Sequence, residues 1–164
     1  MELSEYQQRA VATALPTALS YDYLIPGLVA EVGEVFGKVA KSVRDEWPRE
    51  RLQEELKAEL GDVCWFYVLL AHLAGVEVRK ISVVQEDLTE QEVLNDLLSV
   101  SSTLSSLADP NGNAWYYWLD LYPSYIARVT MVYELALQEV LEYNINKLES
   151  RKARGTITGS GDLR

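Results

Sequence analysis

At 164 residues the chain is long enough to bury the core of one domain, and 48% apolar and 24% charged residues are ordinary for a folded globular protein. The formal net charge of -10 argues against a nucleic acid partner, because binding to phosphate backbones requires a cationic surface. One cysteine excludes an internal disulfide, no basic-then-apolar leader is present, and the longest apolar run (63–74) is too short for a bilayer, so we expect a cytoplasmic protein without a membrane partner.

Helical periodicity dominates the first half of the chain, and strand-like alternation is nearly absent. Ser4 suits the N-cap of a first helix that ends near Pro16, because proline cannot continue a helix. Pro26 suits the first turn of a second helix, where its missing N–H does no harm. Gly75 is expected to end a third. These helices are predicted at about 4–15, 26–44 and 50–74.

The second half is predicted to contain a short helix after residue 77 and a longer one that begins with a capping box at Thr89 and Glu92. The sequence Asn111-Gly112-Asn113 indicates a turn, and a last long helix is predicted at about 124–151. Residues 155–164 are rich in glycine and serine and are expected to be flexible. With no domain boundary in sight, the chain is predicted to be one all-α domain over 1–154, an antiparallel helical bundle.

Two pairs of acidic residues lie inside apolar helical stretches. Glu31 and Glu34 form the first pair, and Glu59 and Asp62 form the second. Each pair has the spacing i, i+3, which places both carboxylates on one face of a helix. Burying an unpaired carboxylate costs several kcal/mol or more, and the neighbouring sequence offers too few lysines and arginines to neutralise four acids. A hard divalent cation would neutralise them.

Mg²⁺ or Mn²⁺ fits such a set of oxygen ligands, whereas a single cysteine and a single histidine cannot build a zinc site. A bound cation would neutralise a triphosphate and activate a water, and a carboxylate could then take the water's proton. The alternative is a solvated acidic face, as around Glu50, Glu54 and Glu55. Two pairs on consecutive helices, each beside a glycine (Gly33 and Gly61), favour the metal. Such glycines usually let a ligand or another helix come close.

A cluster of basic residues lies at the C-terminal end of the last predicted helix, in an otherwise acidic chain. Lys147 and Arg151 share a helical face, and Asn144 lies on the same face one turn earlier. Lys152 and Arg154 follow. Cations at a helix C-terminus are favoured by the helix dipole, which is one explanation. The other is that these residues bind phosphate groups, for which arginine has a matching geometry.

Three segments occur in a specific order: GLVAEVGEVFGKVAKSVRD (27–45), EELKAELGDVCWFYVLLAHLAGV (54–76) and NINKLESRKARGTITGSGD (144–162), preceded by EYQQRAVATA (5–14). Together they resemble the MazG-like nucleoside triphosphate pyrophosphohydrolases of the all-α NTP pyrophosphatase superfamily. That superfamily also holds the dimeric dUTPases and phosphoribosyl-ATP pyrophosphatase. The first two segments are similar to its E-x-x-E and E-x-x-D metal motifs, and the third to its N-x-x-K-L-x-x-R segment.

The resemblance implies Mg²⁺-dependent hydrolysis of a nucleoside triphosphate, a deoxynucleotide or a non-canonical one, to the monophosphate and pyrophosphate in nucleotide pool sanitation. The implied metal and catalytic residues are Glu31, Glu34, Glu59 and Asp62. The implied substrate-binding residues are Asn144, Lys147, Arg151 and Arg154, with Lys38 as a further candidate. Family members assemble as homodimers or homotetramers, so self-association is expected. A dUTPase-like or other dedicated pyrophosphatase, or a non-catalytic nucleotide-binding subunit, remains an alternative.

The chain departs from the family pattern in two places. Ala30 stands where some members have an additional glutamate. About sixty residues (78–140) intervene before the last helix, whereas short members pass almost directly to it, so an extra helical insertion is expected. The aromatic patch at Trp115–Trp118 lies in this insertion and could stack a base, although aromatic clusters are more often core or interface.

Overall fold

The computed structural model describes residues 1–78, 87–106 and 112–156, and these ranges are helical, with no strand. The elements are α1 (Leu3–Thr13), a 3₁₀ helix (Pro16–Ala18), α2 (Tyr21–Arg44), α3 (Arg49–Leu73), α4 (Glu90–Ser106), α5 (Asn113–Val132) and α6 (Leu137–Ala153). The predicted all-α fold class is therefore confirmed. Within the described part of the chain, no helix has the length and apolar character needed to cross a membrane.

The two longest helices form the centre of the fold. A short turn (45–48) connects α2 to α3, and these two helices pack together over most of their length. The α1 and α6 helices pack on α3, while α4 and α5 pack on each other and on α2 and α3. All six helices contribute side chains to one hydrophobic core. The predicted insertion thus supplies α4 and α5, and the continuous core supports the proposal of a single domain over 1–154.

Several predicted helix ends are confirmed. Gly75 ends α3 with a φ of 70°, a backbone conformation that glycine adopts without steric cost. Before α4, the Glu92 carboxylate accepts the Thr89 N–H at 2.8 Å and the Glu92 N–H donates to the Thr89 hydroxyl at 3.3 Å, which is the predicted capping box. The predicted short helix after residue 77 falls mainly on residues outside the described ranges, as do Asn111 and residues 157–164 of the predicted flexible tail.

Two predicted helix starts are wrong. Ser4 lies inside α1, whose N-cap residue is Glu2. The second helix begins five residues before Pro26, because the Leu24 N–H already donates to the Ser20 carbonyl at 2.9 Å. Leu24 is fully buried, so its packing in the core favours helix here despite the proline two residues later.

The prediction of one continuous helix over 124–151 is also wrong. The chain turns at 133–136, between α5 and α6. Glu134 has a φ of 58°, in the left-handed region. Arg49 Nη2 and Gln53 Nε2 of α3 donate to backbone carbonyls at this turn, at 2.9 and 3.0 Å. The turn carries neither glycine nor proline, and it is stabilised by side chains that are distant in sequence.

Pro123 lies within α5 and removes one helical hydrogen bond. Because proline has no N–H, the carbonyl of Leu119 loses its donor four residues later. The Tyr67 hydroxyl of α3 donates to this carbonyl at 3.0 Å, and the Tyr67 ring stacks on Tyr122 at a centroid distance of 5.0 Å. The buried tyrosine therefore compensates for the proline and joins α5 to α3.

Replacing Glu46 with glycine should stabilise the protein. Glu46 is exposed in the turn between α2 and α3 and has a φ of 48°, where a β-carbon causes steric strain. We expect Glu46→Gly to raise the free energy of unfolding by about 0.5–1 kcal/mol in urea denaturation. The matched control is Ala40→Gly at an exposed site within α2, which should lower it by about 1 kcal/mol. A destabilised Glu46→Gly variant would contradict this assignment of strain.

Candidate functional site

Three carboxylates converge between α2 and α3. Glu31 of α2 and Glu59 and Asp62 of α3 each offer an oxygen, and these three oxygens lie within 4.8 Å of one another. All three side chains are partly buried. The two acidic pairs therefore place oxygen ligands from both helices around one point, a donor set that suits a hard divalent cation. They line a cavity of about 630 Å³.

Glu34, the fourth predicted ligand, lies beside this cluster. Its side chain is exposed and lines the same cavity, but it is not one of the three carboxylates that come within 4.8 Å of one another. Its charge nevertheless helps to raise the pKa of Glu31 and Glu59. A role for Glu34 in metal binding stays a prediction.

Lysine side chains pair with two of the acids, contrary to the expectation that the neighbouring sequence offers too few cations. Lys38 Nζ lies 3.2 Å from Glu59 Oε1 and 2.6 Å from Glu55 Oε2. Lys147 Nζ of α6 lies 2.8 and 2.7 Å from the two carboxylate oxygens of Asp62. Pairing of Lys38 was among the expectations from the sequence, but the Lys147–Asp62 pair was not, because it joins residues 85 positions apart. The lysines neutralise part of the cluster.

The Glu31 side chain has no hydrogen bond or ion pair among the residues that the structure describes. Burial raises the pKa of Glu31 to about 7, and the charges of Asp62, Glu59 and Glu34 add to this effect. Burial also raises the pKa of Glu59, against the opposing effect of Lys38. An ionised Glu31 is thus unfavourable in the metal-free protein, and a bound cation would relieve this cost.

The stability of the metal-free protein should therefore depend on Glu31 and pH. Between the ordinary pKa of 4.5 and the native value of about 7, the folded state binds more protons than the unfolded state. Hence the contribution of Glu31 to the free energy of unfolding is fully present below about pH 4.5 and is lost as the pH rises through about 7. We expect Glu31→Gln to flatten the fall in unfolding free energy over this range, measured by urea denaturation with a chelator present.

Glu50→Gln, on the exposed part of α3, is the matched control for this experiment and should retain the wild-type slope. Equal slopes in the wild type and Glu31→Gln would show that Glu31 does not take up a proton in this range.

The predicted substrate-binding residues occupy different positions. Lys147 and Arg151 line the cavity. Asn144 is fully buried beneath Asp62, and its Nδ2 donates to Asp62 Oδ1 at 2.7 Å. Arg154 is exposed beyond the end of α6, and its Nη1 donates to the Ser150 hydroxyl at 3.0 Å. The structure therefore brings Lys147 and Arg151 to the acidic cluster, while Arg154 does not line the cavity.

The two glycines beside the acids differ. A β-carbon at Gly61 would lie 2.7 Å from Asn144 Cβ, so this glycine allows α6 to approach α3 next to Asp62. The predicted close approach is confirmed there. Gly33 has open space at its β-carbon position, and no helix of the described ranges approaches it in this way.

Aromatic side chains line the cavity beside the acids. Trp65 and Phe66 follow Asp62 by about one helical turn, which puts them near the same face, and Tyr23 of α2 lies opposite. The Tyr23 and Phe66 rings are 5.7 Å apart, and Trp65 Nε1 donates to Thr13 Oγ1 at 3.1 Å. Sequence analysis did not identify this aromatic end.

The aromatic patch that the sequence did suggest lies elsewhere. Trp115 is fully buried and packs edge-on against Tyr21, with ring centroids 5.9 Å apart. Tyr116 and Tyr117 are exposed. None of the residues Trp115–Trp118 lines the acidic cavity.

Comparisons with known proteins identify a family and a relative that this chain resembles. The family model of the MazG nucleotide pyrophosphohydrolase domain matches residues 19–89, a segment that contains all four predicted metal ligands. Gene 37 protein of Mycobacterium phage L5 is 29% identical over 173 aligned residues, and the alignment covers the full length of both proteins. No solved structure matches the chain significantly. The resemblance to the MazG-like family is confirmed.

Proposed function

We propose that this chain, whose residues 19–89 match the MazG nucleotide pyrophosphohydrolase domain, hydrolyses a nucleoside triphosphate to the monophosphate and pyrophosphate with the help of Mg²⁺ or Mn²⁺. The observation that carries this proposal is the convergence of Glu31, Glu59 and Asp62 within 4.8 Å, at the wall of a cavity that also exposes basic side chains. Such a cavity suits a polyanion together with a divalent cation.

Glu31, Glu59 and Asp62 would hold the ion, with Glu34 as the proposed fourth ligand. When bound, the ion supplies charge neutralisation for the phosphates and lowers the pKa of a coordinated water. A carboxylate of the same cluster would take the proton of the attacking water. Lys147 and Arg151 contact the phosphates and balance the charge of the departing pyrophosphate.

The aromatic end of the cavity supports a nucleotide as the substrate in preference to an inorganic polyphosphate. Tyr23 and Phe66 line the same cavity as the acids, and stacking on aromatic side chains binds bases with little dependence on their identity. We propose a deoxynucleotide or a non-canonical nucleotide as substrate, with the base at this end and the triphosphate at the carboxylates.

A pyrophosphate-release screen across canonical and modified triphosphates, with Mg²⁺ and with Mn²⁺, tests the proposal. We expect release of pyrophosphate from at least one deoxynucleotide and none in the presence of a chelator. Orthophosphate as the product would indicate a different phosphohydrolase. Thermal stabilisation by nucleotides without turnover would indicate a non-catalytic binding subunit. Light scattering on the same preparation tests the proposed homodimer or homotetramer.

A further inference from the structure

A buried chain of hydrogen bonds leads from α1 to the acidic cluster. The Tyr6 hydroxyl lies 2.7 Å from Asn144 Oδ1 and 3.3 Å from the Gly61 carbonyl, and Asn144 Nδ2 lies 2.7 Å from Asp62 Oδ1. Tyr6 and Asn144 are both fully buried. Three helices, α1, α6 and α3, therefore meet in one polar contact directly behind a carboxylate of the candidate metal centre.

The direction of these bonds is fixed by chemistry. The Tyr6 hydroxyl has one proton, and the shorter contact is to Asn144 Oδ1, so this oxygen accepts it. Once the amide oxygen is occupied by Tyr6, the amide Nδ2 must face Asp62. A carboxylate accepts hydrogen bonds and an amide nitrogen donates them, so this orientation of Asn144 is the one that holds Asp62.

The geometry of Gly61 shows that this arrangement is tightly built. A β-carbon there would lie 2.7 Å from Asn144 Cβ and 3.1 Å from Asn144 Nδ2, so only a glycine allows the amide to reach past α3 to the adjacent Asp62. Because the Tyr6 hydroxyl and the Asn144 amide are buried, removing the partner of either would leave a polar group without a hydrogen bond, which is costly.

We propose that Tyr6 and Asn144 are positioning residues that orient the Asp62 carboxylate for the divalent cation. This inference rests on the proposed function of the acidic cluster. Asp62 Oδ1 receives one bond from a neutral amide and one from Lys147, whereas Oδ2, among the described residues, is bonded only by Lys147. A neutral donor fixes the carboxylate without reducing its negative charge. Asn144, predicted from the family motif to contact substrate, instead acts through Asp62.

The Asn144 amide carries no charge, whereas Lys147, the other donor to Asp62, is a cation. A cation at Asp62 competes electrostatically with a metal ion, and a flexible lysine at the cavity wall can turn toward phosphate. The amide is buried, is held by Tyr6, and keeps Asp62 in place whichever way Lys147 turns. Hydrogen-bond partners of ligating carboxylates typically change metal affinity by about 10- to 100-fold when removed.

Calorimetric titration of Mn²⁺ into the full chain without nucleotide tests this role. We expect Tyr6→Phe to weaken Mn²⁺ binding by about tenfold or more and Asn144→Ala to weaken it further. Since Tyr6 acts through Asn144, the double variant should bind Mn²⁺ no more weakly than Asn144→Ala alone. Additive losses in the double variant would overturn the relay.

Tyr67→Phe is the matched control, because Tyr67 is another buried tyrosine of the same fold whose hydroxyl donates to a backbone carbonyl away from the acids. Urea denaturation should show a similar loss of stability in Tyr6→Phe and Tyr67→Phe, while only Tyr6→Phe loses Mn²⁺ affinity. Equal Mn²⁺ affinities in Tyr6→Phe and Tyr67→Phe would overturn the positioning role of Tyr6. That result would leave the metal centre itself standing. A wild type that takes up no Mn²⁺ would overturn the metal centre, and the positioning role with it.

Discussion

Asp62→Asn and Glu59→Gln should each reduce pyrophosphate release by at least about 10³-fold at saturating nucleotide and Mg²⁺. Each substitution keeps the size of the side chain but removes a negative oxygen from the three-carboxylate cluster. Losing about 4 kcal/mol of charge stabilisation at the reacting phosphate corresponds to about this factor in rate. The measurement is the initial rate of pyrophosphate release with the best substrate from the screen.

Glu54→Gln is the control for this loss. Glu54 lies on the same helix, exposed and paired with Lys57 at 2.9 Å, and does not line the cavity. This variant should keep the wild-type rate, and circular dichroism should show that all three variants are folded. Wild-type rates in both Asp62→Asn and Glu59→Gln would refute the assigned site.

Lys147→Met should reduce turnover by about 10²-fold. Lys147 is partly buried at the cavity wall and is proposed to contact phosphate oxygens, and a hydrogen bond to a charged group contributes about 1.5–3 kcal/mol. The same substitution removes a cation that lies against Asp62, so Mn²⁺ binding without nucleotide should not weaken. Steady-state kinetics and calorimetry on the same preparation provide the two readouts.

Lys57→Met is matched to this variant, because the two lysine side chains are 17% and 19% exposed and both are ion-paired, yet only Lys147 lines the cavity. Lys57→Met should keep its activity. Normal turnover in Lys147→Met would exclude a phosphate contact. Loss of Mn²⁺ binding together with turnover would indicate that the lysine supports the fold of the site and not the substrate.

The sequence was sufficient to predict the acidic cluster because its information is local. An i, i+3 spacing puts Glu59 and Asp62 on one face of α3 whatever the rest of the chain does, and the apolar residues around them place that face inward. The hairpin between α2 and α3 then brings Glu31 opposite. Trp65 and Phe66 follow from the same spacing, and they could have been placed in the cavity by counting one turn from Asp62.

Other features depend on contacts between residues far apart in sequence. The end of α5 is stabilised by Arg49 and Gln53, which lie 83 and 80 positions before the carbonyls they bind, so no local glycine or proline marks it. The contact of Tyr6 with Asn144 joins the two ends of the chain. Such pairings are decided by tertiary packing, which helical periodicity does not encode.

Calorimetric titration of Mg²⁺, with and without a slowly hydrolysed nucleotide, into the wild type and a Glu31→Gln, Glu59→Gln, Asp62→Asn triple variant is the most direct test of the metal centre. Uptake of Mg²⁺ by the wild type, strengthened by nucleotide and abolished in the triple variant, is the predicted result. Equal Mg²⁺ uptake by both proteins, or none by the wild type under either condition, would contradict a catalytic cation held between α2 and α3.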